Sequence, residues 1–176
     1  MNQHLISLVR RSYASILDLA HFLDHRGYWT GNHTIVEDTS HAIFHLFENV
    51  AWSDGKLHHN ECWMLGVLIE ADRERNGSLS QLVSLRNPNH PTQGEDKVPG
   101  VLVAAALYDS IHHTRFAEML ANQLENLALL LMMCDSKVKP KESLALQRYS
   151  EKLRAVVPPV VEPMDELLHP IEFASL

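Results

Sequence analysis

FAEMLANQLENLALLLMMCDSKVKPKE, residues 116–142, is the stretch on which the fold turns. From Phe116 to Cys134 apolar residues recur at helical spacing, and between Leu127 and Met133 they occupy nearly every side, the pattern of a helix central to a bundle. The run stops at Asp135, and a second helical pattern follows over about Lys141–Val156. The stretch therefore reads as helix, corner, helix.

The same period continues upstream. Val101–His112 is one more helix, and Leu5, Val9, Ile16, Ala20 and Leu23 share one face of a first helix. That helix should end near Gly27, because glycine readily takes the left-handed backbone conformation after a helix. A second is expected from about Ile35 to Ser53, with Val36, Ile43, Phe47 and Val50 buried, and a third from near Asn60 past Ile69 to Gly77. No stretch alternates with period two in Val, Ile and Thr. The expected fold is all-α, a single-domain bundle of about six or seven helices. Arg86–Gly100, with its prolines and glycines, reads as a long surface connection between two halves. Residues 1–155 are assigned to the bundle and 156–176 to a proline-rich C-terminal arm.

Composition narrows the classes of function. A chain of 176 residues, 45% apolar, suits one core. Fifteen Lys and Arg against 22 Asp and Glu give a charge of −7, the wrong sign for tracking phosphates, so no nucleic acid is expected as the main partner. No run approaches the roughly 20 apolar residues that span a bilayer, so no direct membrane insertion is expected. The opening MNQHLISLVRRSYAS lacks the apolar core of a signal peptide. Cys62 and Cys134 sit in helix-like segments and read as small buried apolar residues in a reducing, cytoplasmic setting.

The corner occurs twice. Ala51-Trp-Ser-Asp54-Gly-Lys-Leu57-His-His-Asn-Glu61 matches Met132-Met-Cys-Asp135-Ser-Lys-Val138-Lys-Pro-Lys-Glu142, with Glu seven residues after Asp in both. At roughly 100° per residue, Asp54 falls about 20° from Ile43 and Asp135 about 40° from Leu131, so both aspartates point inward. A carboxylate there loses hydration and faces the negative end of the helix dipole. Two compensations are open. The aspartates can accept backbone N–H bonds from the tight loop while each glutamate, third in the next helix, bonds back to the cap residue. Alternatively, all four carboxylates gather around a hard divalent cation. His58 and Lys139 are poor acceptor caps, which favours the cation; Lys56 and Lys137, two residues after each aspartate, offer plain salt bridges.

The duplicated pattern of small residue, Asp and Gly, with an aliphatic three residues after the Asp and Glu seven after it, resembles the tellurite-resistance TerB-like family over about Ile35–Leu153. Trp52, Ser136, His58 and Lys139 depart from that pattern. The resemblance implies an all-helical bundle with an internal pseudo-twofold repeat. It also implies a divalent metal site (Ca²⁺, Mg²⁺ or Mn²⁺) at Asp54, Glu61, Asp135 and Glu142, a part in stress response, and no established enzymatic activity.

Catalytic signatures are scarce: there is no H-E-x-x-H, no His-Asp doublet, no P-loop and no Gly-rich dinucleotide turn. The Glu-x-x-His spacing of di-iron bundles occurs only at Glu166–His169, in the arm. The expected function is partner binding rather than catalysis. The alternative is a metal-dependent hydrolase using the same carboxylates with His58, His59 or His112 as acid or base. His21 with His25, and His41 with His45, have spacing that suits zinc or nickel but lie opposite the buried stripes, so they are assigned to polar faces. Asp109, His112 and His113 read as a polar helix end before Thr114. The arm carries Val156, Val157, Val160, Val161, Leu167, Leu168, Ile171 and Phe173, too much apolar surface to leave in water. It is expected to strap its own bundle, to reach a second subunit as a homodimer arm, or to meet another protein partner.

Overall fold

The computed structural model describes residues 3–31, 33–51, 58–76, 98–134 and 139–159. Asp54, Asp135, Lys56, Lys137, the connection through residue 97 and the arm from residue 160 onward lie outside the described residues.

Among the described residues there are six helices and no strand, so the all-α expectation holds. Helix α1, Gln3–His25, ends where glycine was expected to end it. Gly27 has φ +74°, its N–H donates to the Asp24 carbonyl at 2.9 Å, and the Tyr28 N–H donates to the Leu23 carbonyl at 3.3 Å. This closing pair of bonds satisfies carbonyls that the helix leaves open. Helix α2, Ile35–Ala51, starts with a reciprocal cap. The Glu37 N–H donates to Thr34 Oγ1 and the Thr34 N–H donates to Glu37 Oε2, both at 3.1 Å. Helices α3 (His59–Asn76), α4 (Gly100–His112), α5 (Phe116–Met132) and α6 (Pro140–Val156) complete the bundle.

Gly100 belongs to α4 rather than to the connection before it, a correction of one residue with a physical cause. Its N–H donates to Asp38 Oδ2 at 2.6 Å, and a Cβ there would stand 2.5 Å both from that oxygen and from the Trp29 ring. Only a residue without a side chain lets the start of α4 dock on α2 at this distance.

The central helix is α2, not α5. It packs against all five other helices, and none of its described side chains is exposed, whereas α5 turns Met119 and Leu129 to solvent. The polar side of α2 is buried through small hydroxyls that need little space. Thr39 and Ser40 are buried, and the Thr39 hydroxyl donates to the Ile35 carbonyl one turn back at 2.6 Å. The polar face expected to carry His41 and His45 is only partly open to solvent. Both are half-buried, and His45 Nδ1 lies 3.5 Å from Oε2 of the buried Glu48. The hairpins α2–α3 and α5–α6 are thus not equivalent: α2 packs against every other helix while α5 packs against four.

Cross-links between helices set their directions. Arg10 meets Glu70, and Arg75 holds Asp18 with two bonds of 2.6 and 2.9 Å, so α1 and α3 run alongside in the same sense. Between them lies a buried polar group. The Tyr13 hydroxyl donates to Asp72 Oδ1 at 2.9 Å, and Asn76 Nδ2 donates to the same oxygen at 2.7 Å. Burial, and then the charge of Asp72, push the Tyr13 hydroxyl far above the ordinary phenol range, so it stays protonated and donates. Arg154 forks onto Glu125 at 2.6 and 2.9 Å and reaches Asn122, while Ser150 also meets Glu125, which sets α6 antiparallel to α5.

Candidate functional site

The repeat in sequence is a repeat in local structure. At the start of α3, Glu61 Oε2 accepts the His58 N–H at 2.6 Å. At the start of α6, Glu142 Oε2 accepts the Lys139 N–H at 2.9 Å. Each glutamate is third in its helix and bonds back to the residue before the first turn, in the one-sided form of the capping box. A lysine ammonium has no lone pair to return the bond, so Glu142 makes the cap alone. Both side chains are buried, Glu61 at 4% exposure and Glu142 at 2%, and the open amides of the helix start compensate their charge.

The second oxygen of Glu142 differs from the first. Oε1 is buried and accepts no hydrogen bond among the described residues; the Lys139 ammonium lies 3.5 Å from it. An ammonium at that distance offsets part of the charge without saturating the oxygen's lone pairs.

Of the four expected ligands, Glu61 and Glu142 are described, at the starts of two helices that share α2 as a neighbour. The other two, Asp54 and Asp135, lie outside the described residues. Among the described residues no three His, Cys, Asp or Glu side chains gather as a metal site would need, so a complete site requires the aspartates. The glutamates meet the chemical requirement of a hard cation, since carboxylate oxygens are its preferred donors and one oxygen of Glu142 lacks a hydrogen bond among the described residues.

His59 and His112 stand at opposite ends of the bundle. His59 lines a depression of about 230 Å³ with Gln3, Asn60 and Trp63, beside the Glu61 corner. His112 stands at the other end, with Nε2 2.6 Å from the Tyr28 hydroxyl and its ring 4.3 Å from that of Tyr108. Tyr108 packs on Phe22, and Phe22 lies 19 residues along α1 from Gln3, a rise of about 28 Å. His112 therefore does not join the corner glutamates. Asp109 is occupied too: it accepts the Phe116 and Ala117 N–H groups at 2.9 and 2.7 Å and the Thr114 hydroxyl, capping α5 from the end of α4. The Asp109–His112–His113 cluster is corner architecture, with His113 in the left-handed conformation at φ 56°.

Cys62 corrects another expectation, because it is exposed, while Cys134 is buried as expected. Glu61, Leu65 and Leu68 face inward on α3, and Cys62 is turned about 100° from Glu61. It lines a groove of about 390 Å³ between α1 and α3 with Ile6, Arg10 and Trp63.

Two features escape a reading by periodicity. Asp72 is 1% exposed, and the only signal of its inward direction is that it falls in register with Leu65 and Leu68. At the far end of the bundle, Phe22, Tyr28, Tyr108 and Phe116 meet in edge-on and tilted contacts with centroids 5.2 to 6.1 Å apart. Phe22, Tyr108 and Phe116, with Thr114, Arg115 and Met119, line a groove of about 520 Å³. Phe22, Tyr108 and Phe116 come from three helices and Tyr28 from the turn after α1, so nothing in any one helix's period announces them. Comparison with family models, with curated proteins and with solved structures finds no match for this chain.

Proposed function

We propose that this chain is a TerB-like helical module of the tellurite-resistance, stress-response type, which acts by binding partners rather than by catalysis. In this reading Asp54, Glu61, Asp135 and Glu142 hold a divalent cation, Ca²⁺, Mg²⁺ or Mn²⁺, and order the two corners against each other. The bound ion supplies charge neutralisation, letting inward carboxylates crowd together at helix ends. The ordered acidic corners then present a fixed surface to a protein partner. The supporting observation is Glu142, a buried carboxylate with one oxygen fixed by the Lys139 amide and the other without a hydrogen bond among the described residues.

A second reading is favoured by an observation of its own. Both glutamates already cap their helices, and caps alone explain a repeated Glu at this position. The substitution Glu142→Gln separates the two, because an amide oxygen still accepts the Lys139 N–H while the anionic ligand is gone. Calorimetric titration of the chelator-treated chain should show cation binding that Glu142→Gln weakens, with little change in unliganded stability. No cation binding by the wild type, with the stability of Glu142→Gln unchanged, assigns the glutamates to capping alone.

A further inference from the structure

At the opposite end of the bundle from the acidic corners, the aromatic groove offers apolar surface with a cationic rim. Phe22 and Met119 are exposed although both are large and apolar, at 38% and 43%. Arg115 lines the groove, and the Arg26 guanidinium lies over the Phe22 ring at 4.6 Å, so positive charge stands at the groove and beside it. A surface of this kind suits a segment that is both apolar and acidic.

The chain supplies such a segment where it leaves α6. Because α6 runs antiparallel to α5, the described chain ends heading toward the start of α5, where the groove lies. Arg154 bonds Asn122, and Asn122 is one turn from Met119 and six residues, about 9 Å of helix, from Phe116. The 17 residues beyond Pro159 can extend to about 56 Å, several times that distance. They contain Glu162, Asp165, Glu166 and Glu172 with no Lys or Arg, and Leu167, Leu168, Ile171 and Phe173 among them. Their charge is opposite to that of Arg26 and Arg115, and their apolar side chains suit an aromatic floor.

We infer that the segment Asp165–Phe173 of the same chain docks in the groove of Phe22, Tyr108, Phe116 and Met119. The inference stands independently of any cation at the corners.

The test uses the full chain with Phe173→p-benzoylphenylalanine, a photoprobe that reacts readily with methionine. Illumination should give an adduct at Met119 or its groove neighbours within one chain, at monomer mass, and Leu168→Asp with Ile171→Asp should abolish it. Those substitutions lie in the arm and leave the bundle intact, so its helical circular dichroism should not change. Arg26→Glu with Arg115→Glu should reduce the adduct yield. An adduct at dimer mass overturns the inference in favour of an arm that reaches a second copy. Reaction only elsewhere on the bundle, at Met133 for example, or no adduct at all, overturns it as well.

Discussion

Asp72 shows how one side chain couples two helices. Its carboxylate, buried between α1 and α3, takes hydrogen bonds from Tyr13 and Asn76 on one oxygen, and losing either donor weakens the bonding of a buried polar group. Tyr13→Phe should therefore destabilise the chain by about 1–3 kcal/mol in urea unfolding; a change of a few tenths would show that Asp72 finds another donor. His41 makes a prediction in pH. Burial, and then the neighbouring His45 with His33 adding, lower its pKa from 6.5, against the opposite pull of Glu37 and Asp38. The folded chain then binds this proton more weakly than the unfolded chain does. Its contribution is complete while the imidazole is neutral in both states, and it is lost as pH falls through 6.5 toward the lowered folded value. Between about pH 7.5 and pH 5.5 the wild type should lose more melting temperature than His41→Gln. Equal losses would remove His41 from the acid response. Single residues were partly legible in the sequence: the third-position glutamates announce caps, whereas Asp72 reveals itself only when helix register is combined with knowledge of which face is buried.

The helices owe their boundaries to local chemistry, and this is where the sequence was most readable. Gly27 ends α1 as its freedom at positive φ requires, and α4, α5 and α6 begin within a residue of where periodicity puts them. Corners joined across the fold were not legible, because they depend on contacts distant in sequence. Gly100 is one such case, held against Asp38 and Trp29. Gly100→Ala should cost about 1–3 kcal/mol through overpacking, although alanine is the better helix former; a stabilised variant in thermal denaturation would mean that α4 can shift away from α2. Asp109 is another, since it caps α5 from α4. Asp109→Ala should lower stability by about 2 kcal/mol by leaving the Phe116 and Ala117 amides open, and faster amide hydrogen exchange at the start of α5 should accompany the loss. Unchanged exchange there would show that water replaces the carboxylate.

Across the whole molecule, the all-α architecture followed from the absence of strand periodicity, but the identity of the central helix did not. Leu127–Met133 is the greasiest run, yet Leu129 in α5 and Met133 just after it stand in solvent, while α2, carrying Thr39, Ser40, His41 and Glu48, passes through the middle. Hydropathy ranks helices by side-chain transfer energy. Position in the bundle is decided as well by how many neighbours a helix must touch, and small side chains such as Thr39, whose hydroxyl bonds within its own helix, allow close approach. The acidic site divides in the same way. The glutamates could be placed because capping is local, but whether four carboxylates from two hairpins act together is a property of the assembled bundle.

Thermal unfolding of chelator-treated protein, with and without millimolar Ca²⁺, Mg²⁺ or Mn²⁺, addresses that property directly. A cation at 100 times its dissociation constant should stabilise the native state by about 2.7 kcal/mol, roughly 5–10 °C in melting temperature for a chain of this size. The shift should disappear in the Asp54→Ala, Asp135→Ala double variant. If no cation moves the wild-type transition, the repeated Asp and Glu are helix-corner architecture and the cation-dependent module proposed above is wrong.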